Sequence, residues 1–388
     1  MKLAQAISRL GTETAFDVMA RAQQLRAQGK DIIDLSIGQS DFRAPDSIVE
    51  AAVKAFRDGM HSYTPAKGIL PLREAVAADI EKRRGVKVSA ENVLVVPGGK
   101  VTMFFAIQLF AEPGAEILYP NPGFPIYESL INYGGAKAVA IPILEKNNFA
   151  FSADDILERL TPNSRLLILN SPANPTGGFT PRSELEKLIK GLDDYPDLYI
   201  LSDEIYGRML YDGNEHASPL EYESVRDRVI LLDGWSKTYA MAGLRLGYGL
   251  WPDTLIDHAT RLAVNVHSCV NAPTQYAGLE ALTGSQDEVE AMFKTFDERR
   301  KVIVPRLNEL SGFKCHAPSG AFYVFPNITG TGMDSATLQS RILEEAGVAT
   351  IPGTSFGSYG EGYIRLSYAN SIENINKAVD RIGDLLSG

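Results

Sequence analysis

Cysteine is nearly missing from this chain: Cys269 and Cys315 are the only 2 among 388 residues. Two cannot build a disulfide framework or a cysteine-rich metal centre, and their scarcity fits a reducing cytoplasm. Long apolar runs are missing as well. The longest apolar helical pattern, Val101 to Ala111, is broken by Thr102 and Gln108 and falls far short of the ~20 residues that span a bilayer. The opening residues, Met1 to Arg9, carry no apolar signal core, so the expectation is a cytoplasmic protein with no membrane segment. Positive charge is in deficit: 38 Lys+Arg face 48 Asp+Glu, a formal net charge of −10, with no basic cluster. That balance speaks against nucleic acid as a partner. The 5 histidines do not pair at metal-helix spacing, and His267-Ser268-Cys269 reads as incidental, so no metal site is expected.

What is present is an ordinary globular composition, 45% hydrophobic and 22% charged, too apolar for a disordered chain. The length allows two or three domains at ~150 residues each. In the middle, short apolar runs alternate with helical patterns. Val93–Pro97, Glu116–Tyr119, Arg165–Asn170, Leu198–Ser202 and Val229–Leu232 read as strands, and Val101–Ala111 and Arg182–Lys190 as helices. Thr180 is expected to cap the second helix, with Pro181 in its first turn. Near-continuous apolar strands suit a largely parallel sheet buried on both faces, and the alternation implies an α/β layered domain. The last third changes character: a charged helix over Ser285–Leu310, a strand over Gly320–Phe325, a helix over Ser335–Ala346, a strand near Tyr363–Ser367 and a helix over Ile372–Leu386. This is an α+β module. The expected division is a large domain over 48–285 and a small one combining 1–47, with a helix near Thr14–Gln28, and 286–388.

Four strand ends carry chemistry. Leu231 to Trp235 runs into Ser236-Lys237, with Arg245 eight residues on in Gly243-Leu244-Arg245-Leu246-Gly247. A lysine desolvated at a strand end becomes a nucleophile or base, and an arginine fork suits an oxyanion; taken alone, a solvated loop lysine is the plainer reading of Lys237. Ser202-Asp203-Glu204-Ile205-Tyr206 puts an acid at the carboxyl end of a buried strand, where open α/β sheets bind ligands. Asp203 and Tyr206, three apart, can face one ligand; a helix cap is the plainer reading of Asp203. Asn170-Ser171-Pro172-Ala173-Asn174-Pro175-Thr176-Gly177 is dense turn chemistry, and Asn174 before Pro175 is a site for a cis bond. Pro97-Gly98-Gly99-Lys100 lies between strand and helix, where free N–H groups suit a phosphate. The spacing of a P-loop is absent.

In this order and combination, these segments resemble the class I/II aminotransferases, pyridoxal-phosphate enzymes of fold type I, over essentially the whole chain from Ser36-Ile37-Gly38-Gln39 to Tyr363-Ile364-Arg365-Leu366-Ser367-Tyr368-Ala369. The resemblance implies pyridoxal 5′-phosphate as cofactor, and a large domain with a mostly parallel sheet between helices beside a smaller α+β domain. It also implies roles. Lys237 would form the Schiff base with the cofactor aldehyde and then move the α-proton. Asp203 would pair with the pyridinium nitrogen. Tyr206 and Asn174 would bond the phenolic oxygen, and Phe124, in Asn121-Pro122-Gly123-Phe124-Pro125, would stack on the ring. Gly98, Gly99, Lys100, Ser236 and Arg245 would hold the phosphate, with Tyr63, in His61-Ser62-Tyr63-Thr64-Pro65, reaching it from a partner subunit. Arg365 would clamp the substrate α-carboxylate, with Gly38 lining the same pocket.

The expected function is amino transfer between an L-amino acid and a 2-oxo acid in a ping-pong cycle, carried by a homodimer with shared active sites. A carbon–sulfur β-lyase on the same fold is the alternative. A non-catalytic cofactor-binding protein is the reading from another class, against which Lys237, Asp203 and Arg365 stand together. Relatives that take dicarboxylates place the lysine of Gly-Gly-Lys near the side chain. Lys100 is present, but Glu13 stands where some aspartate-type relatives have serine, which points to neutral, aromatic or basic donors.

Overall fold

The computed structural model describes residues 2–387. Twelve strands are described, in chain order: β1 (Ile33–Asp34), β2 (Val93–Val96), β3 (Glu116–Asn121), β4 (Lys137–Pro142), β5 (Ser164–Asn170), β6 (Tyr199–Asp203), β7 (Val229–Gly234), β8 (Gly247–Leu250), β9 (Tyr323–Val324), β10 (Val348–Ala349), β11 (Ile351–Pro352) and β12 (Ile364–Ser367). Seven of them form the central sheet, in the order β2-β8-β7-β6-β5-β3-β4. Only β8 runs against its neighbours. The parallel strands are the runs read as apolar on both faces: β2, β3 and β7 are buried at every position. Helices cover both faces. The sequence therefore yields the layered α/β arrangement it implies.

Strand direction decides where the chemistry goes. β5 ends at Asn170, β6 at Asp203 and β7 at Gly234, all on one edge of the sheet. Gly247, which opens the antiparallel β8, lies beside both Gly234 and Val96, so Arg245 and the turn after β2 join that edge.

A second sheet, β11-β12-β9, belongs to the C-terminal module. The helix Ile372–Ser387 packs on it through Ile375, Ala378, Val379 and Ile382, one apolar face at helical spacing. The N-terminal segment makes contacts in two directions: β1 pairs in parallel with β10 and Arg299 clamps Asp41 through two bonds of 2.7 and 2.8 Å, while Arg9 and Gly11 bond the helix Ile126–Gly134.

Two local expectations need correction. Thr180 does not cap the helix Arg182–Gly191. Pro181 itself occupies the N-cap position, extended at φ −62° and ψ 148°, with no side-chain cap, and Thr180 is committed to the preceding loop through its N–H to Ser171 Oγ at 2.9 Å. The strand expected over Gly320–Phe325 shrinks to Tyr323–Val324. The N–H groups of Gly320 and Ala321 bond Gly177 and Met209 instead of a ladder, and Ala321 takes a left-handed φ of 57°. Other boundaries agree within a few residues, such as Gly99–Phe110 and Asp287–Asn308 for the helices.

Candidate active site

At that sheet edge lies a cavity of about 460 Å³, within the ~300–1,000 Å³ usual for small-molecule sites. The cavity brings together Gly38, Gly99, Lys100, Phe124, Asn174, Asp203, Tyr206, Ser236, Lys237, Arg245 and Arg365. Gly98 caps the helix Gly99–Phe110 at its rim. Of the residues singled out in the sequence, Tyr63 alone stands apart: it is 91% exposed and outside this chain's cavity.

Lys237 follows β7 and points into the cavity, where its Nζ donates to the carbonyl of Gly38. Burial, reinforced by the guanidinium of Arg365, pushes its pKa down to about 8. A lysine so placed is neutral, and therefore nucleophilic, in a sizeable fraction near physiological pH.

Asp203 ends β6 and is buried. It caps no helix. Its Oδ1 accepts from the Ile205 N–H at 3.2 Å and its Oδ2 from the Tyr127 hydroxyl at 2.6 Å. Burial lifts its pKa to about 6, against the pull of the Tyr127 hydrogen bond. Asn170, one strand over, donates from Nδ2 to the Asp203 carbonyl at 3.1 Å and accepts from the Asn174 N–H at 3.1 Å, which ties the two loops together. The Asn174–Pro175 bond is cis, as the dipeptide suggested. The Tyr206 and Tyr323 hydroxyls share a bond of 2.7 Å, and burial holds the Tyr206 phenol neutral, far above its usual pKa.

Arg365 is buried on β12, its guanidinium between the rings of Tyr323 and Phe356 at 4.6 and 4.7 Å. It donates to Asn174 Oδ1 at 2.9 Å and to the Ser36 carbonyl, while its Nε has no partner. Among the described residues no carboxylate pairs with it, and a buried guanidinium of this kind suits a carboxylate ligand.

The phosphate end is built from backbone and one arginine. The helix Gly99–Phe110 has no side-chain cap, so its first N–H groups and its positive dipole end are open to an anion. Gly98 must be glycine: its φ is 93°, and a Cβ there would strike the Arg245 guanidinium. Phe124 forms one wall, with Lys100 Nζ 5.3 Å from its ring centre. Lys100 is itself ion-paired to Glu13.

Tyr127, Tyr323, Asn170 and Ser36 were not singled out by sequence reasoning. Tyr127 had a signal, since it stands three residues after Phe124 and so shares its side of a helical turn. Tyr323 had none. On the far face of the sheet, Glu204 and Asp233 pair with Arg84 and Arg83, which balances the buried acids behind Asp203. Among the described residues no cluster of His, Cys, Asp or Glu could hold a metal ion, and no helix is long and apolar enough to cross a membrane.

The residues fit pyridoxal 5′-phosphate. An uncapped helix start and an arginine kept accessible by glycine suit its phosphate, an aromatic wall its ring, a buried acid its ring nitrogen, and a low-pKa amine its aldehyde.

Comparison with known proteins gives the same direction. The family model for aminotransferase class I and II matches residues 30–382. An aspartate aminotransferase of Pyrococcus horikoshii is 41% identical over 361 residues, 92% of each chain. An aromatic-amino-acid aminotransferase of Thermococcus litoralis is 36% identical over 364 residues, 93% of each chain. Among solved structures, the aspartate aminotransferase of Thermus thermophilus with maleate superposes at a TM-score of 0.94 with 34% identity, covering 99% of this chain and 100% of that one.

Proposed function

The chain belongs to the class I and II aminotransferases, and from that premise we propose how its own residues divide the work. The reaction moves an amino group between an L-amino acid and a 2-oxo acid. Pyridoxal 5′-phosphate, when bound, supplies an aldehyde that takes up the amino group and a ring that accepts the electron pair left at the substrate α-carbon. With it bound, Lys237 would hold that aldehyde and, once freed by the incoming amine, would take the proton from the α-carbon. Asp203, ionised, would keep the ring nitrogen protonated. Tyr206 and Asn174 would bond the ring oxygen, and Phe124 would cover the ring face. The helix start at Gly98–Lys100, Ser236 and Arg245 would hold the phosphate. Arg365, with Asn174 and the backbone of Gly38, would take the α-carboxylate.

The observation that carries this reading is the convergence, in one cavity, of a lysine with its pKa lowered to about 8, a buried acid and a buried arginine without a carboxylate partner. No observation favours the lyase.

Donor preference follows from Glu13. Its carboxylate pairs with Lys100 inside the cavity, so the pair presents no net charge to a substrate side chain. An acidic side chain must break it; a neutral or aromatic one meets Phe16 and Phe356. We infer neutral and aromatic donors ahead of dicarboxylates.

The exposed Tyr63 supports a homodimer. Val49, Phe56 and Met60 nearby in the chain are also exposed, at 42%, 54% and 39%, and an apolar strip of this kind marks an association surface. In that dimer the partner's Tyr63 completes the phosphate site. The pairing of β1 with β10 supports a small domain of 1–47 with 286–388 beside a large one of 48–285. The unpaired cysteines accord with a cytoplasmic setting.

The test is the visible spectrum of the cofactor-loaded protein mixed with single amino acids and no 2-oxo acid. Loss of the yellow band with one equivalent of 2-oxo acid, reversed by adding a different 2-oxo acid, is expected, and Lys237→Ala should abolish the cycle. Steady ammonia release, or turnover in Lys237→Ala, would overturn the assignment.

A further inference from the structure

Tyr127 has no part in the roles assigned above, yet it is fully buried, at 0% exposed. It sits in the first turn of the helix Ile126–Gly134, and its ring meets Phe124 edge-on, at 5.9 Å between centres and 85° between planes. A phenylalanine would fill the same space without burying a hydroxyl, which is costly unless bonded. Here the hydroxyl has one partner, Asp203 Oδ2 at 2.6 Å.

We propose that Tyr127 is a positioning residue: its O–H keeps Asp203 ionised and fixes the plane of the carboxylate, and so sets the acid limit of transamination. This rests on Asp203 being the partner of the cofactor ring nitrogen.

The surroundings of Asp203 are finely opposed. Burial and the Asp233 carboxylate of β7 favour the neutral acid. Tyr127, the Ile205 N–H and Lys237, just beyond β7, favour the carboxylate. Tyr206, on the turn after β6, directs its hydroxyl to that of Tyr323 at 2.7 Å and away from this acid, and Arg83 is taken up by Asp233 and Asp79. Among the described residues Tyr127 is therefore the one side-chain donor to this acid. The balance lands near pH 6, where one hydrogen bond decides the protonation state. A neutral donor is the suitable kind. It lowers the pKa without cancelling the negative charge that must face the ring nitrogen, as a lysine or arginine would. Each carboxylate oxygen also holds one protein donor, which fixes its rotation and leaves acceptor capacity for the ring.

The experiment follows the carbon-13 resonance of the Asp203 carboxyl against pH in cofactor-free protein, assigned with Asp203→Asn, and the acid limb of kcat in loaded protein. Tyr127→Phe should move both upward by about 1–2 pH units, the worth of one hydrogen bond to a charged group. It should lower kcat at pH 6 on the order of ten-fold. Replacing Tyr127 with 3-fluorotyrosine, a stronger donor of nearly the same shape, should move both downward, and it decides the matter even where Tyr127→Phe folds poorly. Unchanged titrations in these variants would overturn the proposal. If instead Asp203→Asn turned over like the native enzyme, the reading of Asp203 would fail first, whatever Tyr127 did.

Discussion

Replacing Arg365 with methionine should separate stability from catalysis. In the protein without substrate this guanidinium is buried, sandwiched by Tyr323 and Phe356, and bonded only to the neutral oxygens of Asn174 and Ser36, with Nε unpartnered. A buried charge lacking its counter-ion is costly, and an apolar side chain of similar volume in its place is often neutral or stabilising. Arg365→Met should leave Tm unchanged or raise it. With substrate, the arginine gains a carboxylate in a bidentate pair, and losing such a buried pair costs about 3–5 kcal/mol. At about 1.4 kcal/mol per ten-fold, kcat/KM should fall by on the order of 10²–10³ for every amino acid alike. The half-reaction measures this directly, as the rate of band loss against donor concentration. Phenylalanine should lose its advantage over phenethylamine, which has no carboxylate, while the slow rate with the amine stays put. A loss confined to one amino acid, or an equal loss with the amine, would refute the assignment; a large drop in Tm would refute the energetic argument.

Glu13→Gln should free Lys100 and raise kcat/KM for aspartate relative to phenylalanine by up to about five-fold, the worth of one partly exposed ion contact; an unchanged ratio would remove Glu13 from donor choice. Uptake of pyridoxal 5′-phosphate by the cofactor-free protein should quicken as pH rises through about 8. The sign is that of a depressed lysine: the amine is charged and inert below that pH and neutral above it. Arg365→Met should shift the inflection upward by relieving repulsion, and stopped-flow absorbance would show either result. Mixing Tyr63→Phe with Lys237→Ala subunits should produce hybrid dimers that hold one site free of both substitutions, with activity above either parent. Activity no greater than the parents' would deny the shared site.

Residues at strand ends were legible in the sequence because position and chemistry coincide there. Asp203, Asn174 and Lys237 each follow an apolar run, and a parallel sheet carries all such ends to one edge. Arg365 lies inside a strand of the other module, and its burial could not be inferred from neighbours that are themselves ordinary core residues. Tyr127 and Tyr323 look like core aromatics, since a buried hydroxyl differs from a buried ring only through a partner distant in the chain. Thr180 misled for a local reason: threonine before proline suits a cap, but Pro181, extended, takes the N-cap position itself. The Glu13–Lys100 pair joins residues 87 apart, a contact that neither local segment reveals.

The parallel pairing of β1 with β10 has a consequence for how the protein is made. The backbone carbonyls of Ser36 and Gly38 that meet Arg365 and Lys237 come from the first tenth of the chain, and the Ser36–Arg365 contact joins residues 329 positions apart. On the ribosome the central sheet can form, with its anion cradle and its lysine, while β10 and β12 are still inside the exit tunnel or unmade. On the roles proposed above, a nascent chain at that stage holds the anion cradle and the lysine but not the clamp for an amino acid. The parts that would hold the coenzyme and the part that would admit its substrate therefore arise at different moments of synthesis.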